Sequence, residues 1–310
     1  MNLMPGINVL LVAGTHGNEI NAPWLFDQWK SYPELIKPYG LNLSKVIGNP
    51  LARETCKRYI DQDLNRSFTK QNFSISHKDN YEIKRAKELV DIYGSEGRLS
   101  SQIVIDFHST TSCMGCSLVV YGRRSVDLAL ASLIQSRIGI PIYLHEGDES
   151  QAGFLVEYWP CGLVVEIGPV PQGTLNHKII HQTLISLQVC IEEIAKVKSR
   201  NARFPKNLII HRHLKSIDFP RDSNGKQCAY IHSRLDCKDW CLVKKGTPLF
   251  QSLNGNTVHF DDPDLPDSII PVFINEAAYA EKGIAMSFTI KEIWDVKEEW
   301  KNDFYKLLFD

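Results

Sequence analysis

Asn8-Val-Leu-Leu-Val-Ala13 runs directly into Gly14-Thr-His-Gly-Asn-Glu19, and how these twelve residues are read decides the fold. An unbroken apolar run suits a strand buried on both faces, as in the centre of an α/β sheet. Gly14 ends the run. His16 and Glu19 then fall in an H-x-x-E spacing on the turn beyond the strand's carboxyl end, where open α/β sheets collect their chemistry.

Outward from this run, Asn21–Lys30 reads as a helix, with Asn21 as its cap and Pro23 near its first turn. Leu41–Ile47 is a second strand, closed by Asn49-Pro50. Asn80–Tyr93 alternates charged and apolar residues at helical spacing. Ile103–Phe107 is a strand, Leu118–Tyr121 pairs nearby, and Val126–Ile138 is a helix ended by Gly139-Ile-Pro141. Gly162–Ile167 is a third apolar run, stopped by Gly168-Pro169, and His177–Val197 is a long helix. From about Phe204, prolines and glycines punctuate short segments such as Leu208–His211, Thr257–Phe260 and Ile269–Ile274, a β-rich pattern. The expectation is an α/β domain over 1–203 and a β-rich C-terminal domain over 204–310, without an internal repeat.

The 310 residues suffice for one large domain or two ordinary ones. With 43% hydrophobic and 23% charged residues the chain has a soluble globular composition. A formal net charge of −1 gives no whole-molecule attraction to nucleic acid or membrane. No apolar stretch is long enough to span a bilayer, and Met1–Gly6 carries no positive charge of a leader, so a cytoplasmic protein is expected. The C-x-x-C of Cys113 and Cys116 and the C-x-x-x-C of Cys237 and Cys241 are too far apart for a zinc ribbon. Free thiols in a reducing compartment are the expected state of the eight cysteines.

His108 lies in Asp106-Phe-His-Ser-Thr-Thr, just past another strand. With His16 and Glu19 it would complete a His2Glu set that leaves a coordination position for water, the pattern of catalytic zinc. A lone H-x-x-E is common, and His108 by itself also reads as a satisfied core histidine. What joins the three is their shared placement after two apolar strands. If the strand runs on to His108, Asp106 shares its face and could support the ligand, or be an ordinary strand-end carboxylate. Glu166 interrupts the apolar run Leu163-Val-Val-Glu-Ile167; a charge there is paired, solvated in a cleft, or functional.

Five blocks, in order, resemble the aspartoacylase family. They are Gly14–Glu19, Arg58-Tyr-Ile-Asp-Gln-Asp-Leu-Asn-Arg66, Asp106–Ser112, Glu166-Ile-Gly-Pro-Val-Pro-Gln-Gly173 and Asn275-Glu-Ala-Ala-Tyr279. The resemblance spans about Val9 to Gly283. It implies a zinc carboxypeptidase-like mixed sheet flanked by helices, and a β-rich C-terminal domain that covers the active site. It implies one zinc per chain held by His16, Glu19 and His108, with Glu166 as general acid/base and Arg58 polarising the carbonyl. Asn65 and Arg66 would bind a substrate carboxylate, and Tyr279 would touch the substrate from the C-terminal domain. The implied reaction is hydrolysis of the amide of an N-acyl-L-amino acid, N-acetyl-L-aspartate first, to acetate and L-aspartate. The partner is then a small substrate, with homo-oligomerisation left open.

Two departures bear on specificity. The family's common His-Asn-Thr-Thr is His108-Ser-Thr-Thr here. The family also places an arginine for a second substrate carboxylate shortly before the catalytic glutamate, and this chain has none between Arg137 and Arg200. The rival readings are an aminoacylase for N-acylated neutral or aromatic amino acids, a zinc carboxypeptidase, and a non-catalytic metal-dependent binding protein. The binding protein has no use for an acid/base beside a water.

Overall fold

The computed structural model describes residues 6–74, 80–148 and 151–309. Met1–Pro5, read above for a leader, lie outside the described residues. The strands are β1 Asn8–Ala13, β2 Asn42–Ile47, β3 Ile103–Ser109, β4 Cys116–Tyr121, β5 Ile142–His145, β6 Cys161–Ile167, β7 Asn207–Ile217, β8 Tyr230–Ile231, β9 Val243–Lys244, β10 Pro248–Gln251, β11 Thr257–His259, β12 Ser268–Val272 and β13 Met286–Asp295. The helices are α1 Asn21–Ser31, α2 Pro50–Glu54, α3 Lys70–Ser74, α4 Tyr81–Tyr93, α5 Ser125–Ile138, α6 His177–Lys198 and α7 Glu298–Phe309.

Ten strands form one mixed sheet in the order β2-β1-β3-β6-β4-β5-β7-β13-β12-β9. The quartet β2-β1-β3-β6 is parallel, β4 joins β6 antiparallel, and β5 runs parallel to both β4 and β7. The apolar run of β1 is explained by its two faces. Val9, Leu11 and Ala13 join the core under α1, α5, α6 and α7. Leu10 and Val12 face the opposite core, with Ala86 and Leu89 of α4, Leu64, Phe68 and Trp159. A strand covered by helices on both sides has no polar face to show. The β-rich part continues the sheet through β7, β13, β12 and β9, and adds a second sheet, β11-β10-β8, over a third core that includes Leu249, Phe250, Phe260 and Phe288.

Several elements differ from the sequence reading. Asn21 does not cap α1. Ile20 holds that position, and the Asn21 amide instead donates to Thr174 O and accepts from Asn176 N, tying α1 to the start of α6. β3 runs two residues past Phe107, through His108. β7 is an eleven-residue strand and not the short Leu208–His211, because it pairs along its length with β13. The cysteine expectation also changes. Cys113 and Cys237 are disulfide-bonded across 124 residues of sequence, because the fold brings the segment after β3 beside the one before β9. Cys56, Cys116, Cys161, Cys190, Cys228 and Cys241 are free. No helix among the described residues is long and apolar enough to cross a membrane.

Candidate active site

The carboxyl ends of β1, β3 and β6 lie side by side in the parallel part of the sheet, so residues distant in sequence meet at one edge. After β1 the chain turns through Gly14, whose φ of +67° suits glycine. The turn then lies against α2: a Cβ on Gly17 would sit 2.1 Å from the Ala52 carbonyl carbon. This backbone contact aims His16 and Glu19 at the end of β3. There the His16 Nδ1 is 2.7 Å from Glu19 Oε1, and the His108 Nδ1 is 3.1 Å from Glu19 Oε2. The Ser109 amide also donates to Glu19 Oε2, at 2.9 Å.

His16, Glu19 and His108 are buried, and their ligand atoms lie within 4.8 Å of one another. Each imidazole is held from behind. His16 Nε2 meets Asp63 Oδ1 at 2.9 Å, and His108 Nε2 meets Asp106 Oδ2 at 2.8 Å. The extension of β3 puts Asp106 and His108 on one face, and Thr15 donates to the same carboxylate at 2.9 Å. With Nε2–H donated to a carboxylate, each Nδ1 lone pair is left to point at the third ligand. Two imidazole nitrogens and one carboxylate, each oriented by a second polar group, fit a divalent cation in a three-ligand site. The charges agree. Burial would raise the Glu19 pKa, but His16 and His108 hold it below the usual carboxylate range. Burial opposes charge on His108, yet Asp106 and Glu19 raise its pKa well above the ordinary imidazole value. A cation at this point replaces the protons that the cluster otherwise keeps.

Glu166 sits on β6 directly across from His108 in the pairing register. Burial raises its pKa well above the usual range, and Glu19 and Glu276 add to this against the opposing charge of His108. Arg58 donates to Asp63 at 3.1 Å and approaches Glu19 at 3.5 Å. Asn65 and Arg66 belong to a short 3-10 turn, Leu64–Arg66, capped by Asp63 through Asn65 N. The Asn65 Oδ1 accepts from Leu155 N at 2.9 Å, which leaves its NH2 as the donor end. Arg66 lies over the Phe154 ring at 4.0 Å and donates to Gln151 Oε1 at 2.8 Å. Tyr279 reaches in from the 3-10 turn Ala277–Lys282 and packs on Phe273.

The eight residues read from the sequence as ligands, catalytic groups or substrate contacts line one cleft that opens to solvent. The sequence reading assigned no role to Asp63, Glu276, Tyr143 or His145. Asp63 and Glu276 stand inside the quoted blocks, but their partners are set by folding. Glu276 accepts from Thr111 N at 2.8 Å, Thr111 Oγ1 at 3.0 Å, Ser112 N at 3.2 Å and also Thr110 Oγ1. It thereby fixes the loop after His108 to the segment between β12 and β13. Tyr143 and His145 belong to the four-residue β5, for which the sequence carries no periodic signal.

The Succinylglutamate desuccinylase/Aspartoacylase catalytic domain matches residues 5–194, and the barrel-sandwich hybrid domain of the same family matches residues 206–291. A probable aspartoacylase of Prochlorococcus marinus is 58% identical over 305 residues, covering 98% of this chain and 99% of the relative. One of Parasynechococcus marenigrum is 46% identical over 297 residues, covering 96% and 97%. Murine aminoacylase 3 superposes with a TM-score of 0.85 at 29% identity, covering 95% of this chain and 98% of that one. The succinylglutamate desuccinylase of Chromobacterium violaceum, at 15% identity and a TM-score of 0.62 over 95% and 86%, shares the fold.

Proposed function

This chain belongs to the succinylglutamate desuccinylase/aspartoacylase family, and from that premise we propose that it hydrolyses the amide of N-acetyl-L-aspartate to acetate and L-aspartate. The observation that carries the reading is the buried His16–Glu19–His108 cluster, with ligand atoms within 4.8 Å and both imidazoles backed by carboxylates. The ion is zinc, one per chain, since two histidines and a glutamate form a common catalytic zinc set. Zinc bound there supplies Lewis acidity, lowering the pKa of a water to about 7 and polarising a carbonyl.

The chain's own residues do the rest. Glu166, opposite His108, takes the proton from the attacking water and passes it to the leaving amine; a buried carboxyl with a raised pKa is suited to both transfers. The Arg58 guanidinium stabilises the negative charge that develops on the acyl oxygen. Asn65 and Arg66 hold the substrate's α-carboxylate with the amide NH2 and the guanidinium. Tyr279 closes the cleft from the C-terminal side.

One observation favours a second reading, an aminoacylase for neutral or aromatic N-acyl-amino acids. Tyr121, Tyr143, Phe154 and Phe273 line the same cleft, and aromatic walls accept apolar side chains. One experiment tests both. Zinc-loaded protein is given the N-acetyl derivatives of aspartate, asparagine, phenylalanine and leucine, and amino-acid release is followed. About one zinc per chain is expected, lost in His16→Ala and His108→Ala, with the aspartate derivative cleaved fastest. Glu166→Gln should keep its zinc while turnover falls roughly a hundredfold or more. Stoichiometric zinc in both histidine variants, or near-normal turnover in Glu166→Gln, overturns the site; fastest release from phenylalanine selects the second reading.

A further inference from the structure

An N-acyl-aspartate brings two carboxylates into the cleft, and one of them needs a partner other than Asn65 and Arg66. Burying a carboxylate without a donor is costly. The family's arginine for this purpose is missing, since the chain has none between Arg137 and Arg200. Of the lysines near the C-terminal motif, Lys245 pairs with Asp267 and Lys282 with Glu281, and neither lines the cleft. Of the arginines that do line it, Arg58 is held by Asp63 and Glu19, and Arg66 is taken with Asn65 by the α-carboxylate.

His145 differs from these. It ends β5, and Tyr143 two residues earlier shares its face, so both rings look into the cleft. The residue is 8% exposed. Its Nδ1 lies 3.2 Å from the Tyr143 hydroxyl. Burial raises the Tyr143 pKa well above the ordinary phenol value, so the hydroxyl keeps a proton that it can donate to Nδ1. In the tautomer that accepts this bond, the ring's own proton is on Nε2, which has no hydrogen-bond partner among the described residues. A buried donor left unpaired costs about 1–3 kcal/mol. Here it stands in the wall of a substrate cleft, with Tyr121 and Phe154 ring centroids 5.6 and 5.4 Å away to exclude water.

We propose that His145 sets the specificity of this cleft: its Nε2–H receives the side-chain carboxylate of an N-acyl-aspartate, in the role the family gives to an arginine. The assignment rests on reading the cleft as an N-acyl-amino-acid site. The neutral ring can donate Nε2–H as it stands, and a bound carboxylate that draws a second proton onto the ring adds a pH dependence that an arginine would not show. Among the described residues, the groups that face His145 are His213 on β7, Arg66 on the 3-10 turn Leu64–Arg66, Asp148 beyond β5, Tyr121 on β4 and Tyr143 on its own strand. Burial, then His213 and Arg66, lower its pKa to about 4 against the pull of Asp148, so the ring is neutral in the free protein near pH 7. An arriving carboxylate favours the imidazolium. Binding an aspartyl side chain is therefore linked to proton uptake, and binding an asparaginyl one is not.

The test is the ratio of kcat/KM for N-acetyl-L-aspartate to that for N-acetyl-L-asparagine, on zinc-loaded protein at constant ionic strength. In the unmodified protein this ratio should fall about threefold or more between pH 6 and pH 8, because the linked proton becomes scarcer. In His145→Asn the ratio should fall about tenfold or more, the loss of one hydrogen bond to a charge. A ratio unchanged in the variant overturns the role of His145 and leaves the hydrolase reading standing, and a ratio lowered in the variant but flat with pH in the unmodified protein overturns the proton uptake alone. Failure of the unmodified protein to cleave either substrate overturns both.

Discussion

Arg58 and Arg66 are the two guanidinium groups in the cleft, and their neighbours set them apart. Arg58 is anchored to Asp63 and Glu19, beside the His16–Glu19–His108 cluster, where in the proposed reaction charge would develop only as the amide is attacked. Arg66 lies over Phe154 with its fork turned to Gln151, where a carboxylate present throughout the reaction would sit. Replacing each with alanine and measuring both constants should separate them. Arg58→Ala lowers kcat about a hundredfold or more with a small change in KM, and Arg66→Ala raises KM about tenfold or more. If Arg66→Ala left KM unaltered for every N-acetyl-amino acid, its binding role would be wrong. His16, Glu19 and His108 could be marked in the sequence because each lies just beyond an apolar run that reads as a strand and inside a block resembling the aspartoacylase family, and folding brings the three together. His145 was not. Nothing in Ile142-Tyr-Leu-His145 shows which side chains face a cleft, and its partnerless nitrogen exists only once Tyr143, Tyr121 and Phe154 are packed around it.

Among the elements, the long helices and the buried strands β1, β3 and β6 could be read from composition, because burial on two faces leaves an unbroken apolar signature. β13 could not. Its outer residues alternate, and its length follows from pairing with β7 across register positions from Met286↔Ile217 to Asp295↔Asn207. The segment joining β12 to β13 carries Glu276, which couples the C-terminal part to the loop that follows His108. Its carboxylate gathers the Thr111 and Ser112 amides and the Thr110 and Thr111 hydroxyls in a buried position. Hydrogen bonds to a charge contribute about 1.5–3 kcal/mol each, and a buried donor left without its acceptor costs more than the bond contributed. Glu276→Gln keeps the shape but replaces one acceptor oxygen with a donor facing other donors. It should lower stability by about 2–3 kcal/mol, read as a shift in the urea midpoint at constant m. A shift under about 0.5 kcal/mol would mean that the loop is held by other contacts.

At the scale of the whole molecule, the change of composition near Phe204 marks where the β-rich part begins, and the proposed division at 203/204 raises the question of whether either side stands alone. Three features bind them. β7 pairs in parallel with β5, through Tyr143↔His211 and Leu144↔Arg212, so a chain ending at Arg203 exposes the edge that carries His145. The returning helix α7 places Trp300, Phe304 and Leu308 in the same core as α5 and α6. Cys113 and Cys237 join the two parts covalently. Burying three such side chains contributes about 1.5–3 kcal/mol each. Their sum is comparable with the entire stability of an ordinary domain, about 5–15 kcal/mol. The full chain, with its disulfide intact, is therefore expected to unfold in urea as one unit. Its six tryptophans report on both parts, since Trp24, Trp29 and Trp159 lie before residue 203 and Trp240, Trp294 and Trp300 after it. Tryptophan fluorescence and far-ultraviolet circular dichroism should give coincident transitions. The fragment 1–203 should lack a cooperative transition of its own. Two separated transitions in the full chain, or a cooperatively folded fragment, would show that the shared sheet and the α7 contacts are not what makes this molecule a single folding unit.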